Sequence, residues 1–342
     1  MSRQPPAAPP AVGASPSAPA APTAPTAPFA PTAIVAPLAA ELAGVLAATR
    51  ARRTLQVRVE GRPGRGRWGR WGRSSRRTVT FGRLAGEEVA LMATGDGPAA
   101  AAAGLQALLA AVRPRRLLAI GVAGGLTPGL VEGTLVAARQ VVAGDGAMVP
   151  REPDAAWLAA ALAAGAVAGA VVSADRILAD PAARQAVLGL ALPAPATTAM
   201  PATAAMPART VPAALPRTIA VVDLESVAYA RVAAARSLPY LVVRAVLDPA
   251  DERLPLDFEA CRDGSGRVSH ARVLRQALAR PRTLGQLWRL RARVRDAAAG
   301  LAAFAERLVA AAANGLPARA GDGATVDMRR EIPAAAAGRR TA

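Results

Sequence analysis

Short apolar runs of strand length recur along most of the chain, with helical stretches between them. AIVAPL at 33–38 is the first such run, and a helical stretch over 39–50 carrying Glu41 follows it. EVALMAT at 88–94 predicts a strand, then Gly95-Asp96-Gly97-Pro98 leads into a helix over 99–112. RLLAIG at 116–121 predicts a buried strand that runs into Val122-Ala123-Gly124-Gly125. A strand over 134–142, a helix over 157–164 and a strand over 166–173 come next, and VVSADRIL at 171–178 leads to a helix over 181–190. The stretch 218–248 reads TIAVVDLESVAYARVAAARSLPYLVVRAVLD. It predicts a buried strand (219–222), an acidic turn with Asp223 and Glu225, a helix, and a second buried strand ending on Asp248. Helices are expected over 272–279 and 284–313. In the second, Leu287, Leu290, Val294, Leu301, Phe304 and Leu308 repeat at helical spacing, with Arg289, Arg291, Arg293 and Arg295 between them. Strands alternating with helices imply an α/β domain whose central sheet is mixed, largely parallel and twisted, with flanking helices.

The pattern breaks in four places. Residues 1–31 are rich in Ala, Pro, Ser and Thr and predict a disordered tail, because they cannot bury enough apolar area to offset chain entropy. Residues 50–77 predict a solvated Arg/Gly-rich insertion, and 191–216 a low-complexity insertion with more prolines than a core strand holds. Residues 313–342 predict a second disordered tail. One domain over 32–312 remains, with a helical extension over 262–312.

Composition changes this picture little. Apolar residues make up 52%, a figure inflated by alanine, while aromatics are 3%. All 42 basic residues are Arg, so the net charge of +18 reflects a compositional bias as much as a polyanion partner. Residues 50–77 hold eleven Arg against Glu60 alone and supply +10 of the total. Their centre, RPGRGRWGRWGR at 62–73, has the residues to pair with phosphates and stack on bases. Nothing else in the chain supports that use, and no nucleic-acid partner is expected. The single Cys261 excludes an internal disulfide and suits a reducing, cytoplasmic setting. The uncharged run 155–172 is mostly Ala and Gly and divides at Gly165, so it predicts a helix and a strand rather than a membrane span.

Glu225 and Asp248 are the candidate chemistry, since both fall at strand ends, where open α/β sheets place ligands. Each also has a plainer use: Glu225 as a helix N-terminal charge, Asp248 as a turn residue before Pro249. Gly95 and Gly97 open a strand–loop–helix unit that presents backbone amides to an anion. His270 is the chain's one histidine and lies in a polar stretch, so a catalytic triad and a His/Cys metal site are not indicated.

ATGDGPAAAAAG (93–104), GVAGGLTPGLVEGTLV (121–136), SADRIL (173–178) and VVDLESVAYARVAAARSLPYLVVRAVLD (221–248) occur in the order found in the nucleoside phosphorylase and methylthioadenosine/S-adenosylhomocysteine nucleosidase superfamily. The chain resembles that superfamily over about 33–190 and 217–260. Its continuation over 248–297 resembles the hopanoid-associated phosphorylases, also described as adenosylhopane nucleosidases. The resemblance implies a phosphorylase/hydrolase-like fold and cleavage of a purine N-ribosidic bond through an oxocarbenium-like transition state. It matches Asp248 to the general acid on the purine and Glu225 to the ribose hydroxyl ligand, with Leu224 lining the sugar. Ile177 and Leu178 match positions that cover the purine, and Gly124 lies in the glycine-rich strand end beside the substrate. The acid that activates water falls at Ala40 in the simplest register, and Glu41, one place later, is the candidate. Phosphorylases carry Arg and Ser where this chain has Ala119 and Val122, which favours water over phosphate and leaves Gly95 and Gly97 as anion donors if phosphate is a co-substrate.

No cofactor or metal is implied. The expected partner is a purine nucleoside, lipid-linked if the hopanoid likeness holds, which would bring residues 284–295 into peripheral contact with an anionic membrane surface. Relatives often pair, so the resemblance allows a homodimer while the sequence itself leaves the oligomeric state open. The alternatives are a soluble methylthioadenosine/S-adenosylhomocysteine nucleosidase or other purine nucleoside phosphorylase, and a nucleic-acid-binding protein built around 62–73.

Overall fold

The computed structural model describes residues 29–60, 74–192, 219–262 and 282–313, together with 272–273 and 275–276. In chain order the elements are β1 (Phe29–Ala36), α1 (Ala39–Ala48), β2 (Arg50–Val59), β3 (Ser75–Leu84), β4 (Glu87–Ala93), α2 (Pro98–Ala111), β5 (Arg113–Gly125) and β6 (Leu135–Ala143). Then come α3 (Ala155–Ala163), β7 (Val167–Ser173), α4 (Pro181–Ala191), β8 (Ala220–Asp223), α5 (Ser226–Ala235), β9 (Tyr240–Asp248) and α6 (Arg282–Ala313).

The strands form one nine-stranded mixed sheet in the order β2-β3-β4-β1-β5-β8-β7-β6-β9, and β9 also pairs with β5. That extra pairing closes β5, β8, β7, β6 and β9 into a small barrel, so one end of the sheet has no free edge. β5 makes the closure geometrically feasible because it is long. Its first half pairs in parallel with β1, its second half with β9, and its last two residues with β8. β4, β1, β5 and β9 are aligned by parallel pairs, as are β7 and β8, and the two sets meet where β8 pairs antiparallel with the last two residues of β5, which brings their C-terminal ends together.

Buried strands of this kind show both faces as apolar. Val35 and Leu117 face Leu105 and Leu108 of α2 and Tyr229 and Ala230 of α5. Ile34 and Leu118, their chain neighbours, face Leu42 and Val45 of α1, Trp157 of α3, and Phe304 and Leu308 of α6. A third cluster seats α4 on β7 and β8 through Leu178, Ala191, Val172 and Val222. Helix α6 is therefore part of the core from Ala297 onward. Its first turns are more open, with Trp288 70% exposed.

The structure revises several expectations. Residues 50–77 are not simply a solvated insertion: β2 and β3 form an antiparallel hairpin there, in register from Arg53↔Phe81 to Val59↔Ser75. Arginines at six of the eleven basic positions obscured a period-2 pattern in which Val57, Val59, Val79 and Phe81 turn inward. The arginines on β2 line the outer edge of the sheet, where charge discourages edge-to-edge pairing. β1 starts at Phe29, so the last residues assigned to the N-terminal tail belong to the sheet. β8 ends on Asp223 rather than Val222, and VVSADRIL leaves the strand after Ser173. The RPGRGRWGRWGR segment and His270 lie outside the described residues, as do nearly all of the 191–216 insertion and both tails. No helix among the described residues is long and apolar enough to cross a membrane.

Candidate active site

Asp248 ends β9 beside Gly124 of β5, its parallel partner in register. A Cβ at Gly124 would stand 3.3 Å from Asp248 Oδ2 and 3.5 Å from Val222, so glycine here keeps the space before the carboxyl open. Asp248, Gly124, Leu224, Ile177, Leu178 and Arg184 line a single cavity. Five of these six were named from the sequence, and they arrive from four different elements and loops. The Ile177 amide donates to Glu259 Oε2 (3.0 Å), which fixes the covering segment from the far side. Burial pushes the Asp248 carboxyl above its ordinary range, and the adjacent Arg184 guanidinium offsets only part of that.

A second group of charges lies next to this cavity, joined to it through Asp223, which lines the cavity too. Arg244 is fully buried in β9, where Nε donates to Asp223 Oδ2 (2.6 Å) and Nη2 donates to Ser226 Oγ (2.9 Å). Ser173 Oγ at the end of β7 donates to Asp223 Oδ1 (2.6 Å). The third guanidinium nitrogen, Arg244 Nη1, is buried and has no hydrogen-bond partner among the described residues. It sits by Gly121, whose missing Cβ would lie 2.3 Å from Nη1 and 3.1 Å from Glu41 Oε1.

Glu41 therefore reaches the site. It is the third residue of α1, and Oε2 accepts from the Leu38 amide (2.8 Å) in the manner of a helix cap. Oε1 accepts from the Val122 amide on β5 (2.9 Å). Burial raises the Glu41 pKa, opposed by those two amides and by Arg244.

Glu225 stands where β8 turns into α5. Its Oε1 accepts from the Gly97 amide (2.7 Å), and Oε2 receives no hydrogen bond among the described residues. Burial and then the Asp223 charge push its pKa up to about 8. Charge balance adds to the burial: one arginine is already paired with Asp223, so Glu41 and Glu225 share too little positive charge for both to ionise freely. Arg244 itself is held in its charged form, because its acidic neighbours, Asp223 foremost, outweigh the burial that opposes the charge.

The glycine loop has a different use from the one expected of it. Gly95 N–H donates to the Pro37 carbonyl (3.0 Å) and Gly97 N–H to Glu225, so both amides serve protein acceptors rather than standing open to an anion. Gly95 holds a positive φ of +117°, which a side chain would strain.

Asp223, Arg244 and Arg184 were not picked out as site residues from the sequence. Arg244 had a legible signal, a lone charge inside the apolar strand YLVVRAVLD, and a buried charge demands a partner. Arg184 had none, being one of many arginines in Ala-rich sequence.

The sequence model of the phosphorylase superfamily matches residues 33–279. The 5′-methylthioadenosine/S-adenosylhomocysteine nucleosidase of Haemophilus influenzae is 27% identical over 193 residues, 56% of this chain and 82% of that protein. Among solved structures, the corresponding nucleosidase of Neisseria meningitidis, bound to methylthio-immucillin-A, covers 82% of this chain and 98% of its own at 19% identity and a TM-score of 0.53. A futalosine hydrolase mutant of Helicobacter pylori gives the same coverage and TM-score at 14% identity. These structures share the fold, and the chain belongs to the phosphorylase superfamily.

Proposed function

We propose that this protein hydrolyses the N-ribosidic bond of a purine nucleoside. The observation that carries the reading is the convergence of three buried carboxyls, Asp248, Glu225 and Glu41, on the C-terminal ends of β9, β8 and β1. The first lines the apolar cavity, while the other two flank Arg244. In this mechanism the C1′–N9 bond breaks and its electron pair goes to the purine, which takes the Asp248 proton at N7. Glu225 Oε2 accepts from the ribose hydroxyls and, in the ionised form of the carboxyl, offsets the charge growing on the sugar ring. The oxygen of a water bonds to C1′, and the proton it sheds goes to Glu41. The amides of Gly95, Gly97 and Val122 support water as the nucleophile, because they are engaged by protein acceptors rather than arranged around a phosphate.

The finer reading is release of adenine from adenosylhopane at the cytoplasmic face of a membrane. It rests on the hopanoid-like continuation after Asp248 and on where the structure puts that continuation. Arg293 of α6 bonds Glu252 (2.7 Å) and pairs with Glu132 (2.8 Å), which tethers the helix two residues from the cavity-lining Leu254. The exposed Trp288, Arg289, Arg291 and Arg295 lie on the same stretch of α6. The H. influenzae relative favours methylthioadenosine or S-adenosylhomocysteine instead. Adenine release measured from adenosylhopane and from methylthioadenosine, with and without phosphate, tests both. Phosphate-independent release with adenosylhopane preferred supports the full reading. Preference for methylthioadenosine overturns the lipid substrate alone, and release that requires phosphate overturns hydrolysis.

A further inference from the structure

Arg184 is an odd residue to find where it is. It lies on α4, is 1% exposed, and engages one acceptor with each of its three guanidinium nitrogens. Nε donates to the carbonyl of Leu178 (3.0 Å), Nη1 to the carbonyl of Pro249 (2.6 Å), and Nη2 to Asp248 Oδ2. Leu178 belongs to the segment that covers the cavity, and Pro249 follows Asp248 directly in the chain. An arginine buried only for packing would be a costly choice in so Ala-rich a helix, and a hydrophobic residue would fill the space without desolvating a charge. Here one planar group joins the acid, the backbone just beyond it and the cavity cover into one rigid unit.

We propose that Arg184 is the positioning residue for proton delivery by Asp248: it engages Oδ2, leaves Oδ1 as the oxygen that carries the proton, and locks that oxygen's direction relative to the segment over the purine. This deepens the hydrolase reading and rests on it. The charged groups around Asp248 are Arg184, Glu252 and Arg293, with Arg176 and Asp223 lining the same cavity, and among the described residues only Arg184 hydrogen-bonds to its carboxyl. Arg184 favours the ionised carboxylate, which cannot donate a proton. Its removal therefore has two consequences of opposite kind. The acid is less well aimed, so turnover falls, while the carboxyl holds its proton to higher pH, so the alkaline limb of the rate profile moves upward.

The test compares wild type, Arg184→Met, Arg184→Lys and Asp248→Asn, following adenine release from methylthioadenosine and adenosylhopane across pH 5–10. In Arg184→Met, kcat is expected to fall about 10- to 100-fold, a part of the roughly 10²–10⁴ that a positioned acid supplies. KM should change far less, and the alkaline limb should shift to higher pH. Arg184→Lys restores the charge but cannot span three acceptors, so its limb should return toward the wild-type position while kcat stays depressed. A structural role alone would lower the amount of folded enzyme and leave the limb in place. An unmoved limb in Arg184→Met, or wild-type kcat in either variant, overturns the proposal. If Arg184→Met does not fold, Arg184→Lys carries the test through its kcat. Activity retained in Asp248→Asn overturns the hydrolase mechanism as well, whereas an inactive Asp248→Asn beside an unaltered Arg184→Met overturns the role of Arg184 alone.

Discussion

Glu225 is the residue at which stability and function should pull furthest apart. Its carboxyl is 6% exposed, faces Asp223 across the turn, and holds its proton to a pH of about 8. A folded-state pKa raised above the unfolded value means that the folded protein binds this proton more tightly. The group then costs nothing below about pH 4.5, and its cost grows as pH rises toward 8 and levels off beyond it. Between 4.5 and about 8 the accumulated penalty is on the order of 5 kcal/mol at about 1.4 kcal/mol per pH unit, a large share of a typical domain's stability. Glu225→Gln removes the charge, keeps the shape, and keeps an oxygen for the Gly97 amide. Urea unfolding followed by far-UV circular dichroism should give near-equal midpoints for the two proteins at pH 5. At pH 8.5 the variant should be the more stable by several kcal/mol. At pH 8.5, where the native carboxyl is ionised, adenine release by the variant should be lower by about 10²–10³, since a neutral amide cannot answer the positive charge on the sugar. A stability gap that does not widen with pH would refute the charge-balance account of the cluster. Full activity in Glu225→Gln would refute its role at the ribose.

The other expectations are simpler. Asp248→Asn should lower kcat by about 10²–10⁴ in a steady-state assay with methylthioadenosine, while circular dichroism reports a retained fold. Gly121→Ala sets a methyl against Arg244 Nη1 and Glu41 Oε1, so hydrolysis should fall sharply; an unchanged kcat would show that no water needs that space. Arg244→Met leaves Asp223 buried without its cation and should cost about 3–5 kcal/mol in urea unfolding at pH 7. Phe304→Ala, in the fully buried part of α6, should cost about 3–5 kcal/mol, which would mark the helical extension as core rather than appendage.

The alternation of apolar runs and helical stretches made the sheet legible, because fully buried parallel strands announce themselves as apolar on both faces. Ile34 and Val35, or Leu117 and Leu118, are such pairs. The β2–β3 hairpin was hidden because an edge strand needs only a few inward residues, and Val57 and Val59 sat among arginines. Barrel closure was not legible at all, since it depends on β5 being long enough to pair with three partners and on an antiparallel β6–β9 contact remote in sequence. At the site, local motifs located Asp248, Glu225 and the cavity cover. Glu41 was a candidate one place beyond the alanine of the simplest register, and the structure sets its carboxyl against the Val122 amide. Arg184 required the structure, because Asp248 and Pro249 are remote in sequence and come within its reach only when α4 seats on β7 and β8.

The central claim is that Asp248 protonates a purine while water attacks the ribose. It is tested most directly by incubating wild type and Asp248→Asn with methylthioadenosine in phosphate-free ¹⁸O-water, and measuring free adenine and the sugar product by mass spectrometry. The account predicts adenine release by wild type with one ¹⁸O at the anomeric carbon, and loss of both products in Asp248→Asn. Adenine release that persists in Asp248→Asn, or that appears only when phosphate is added, would contradict it.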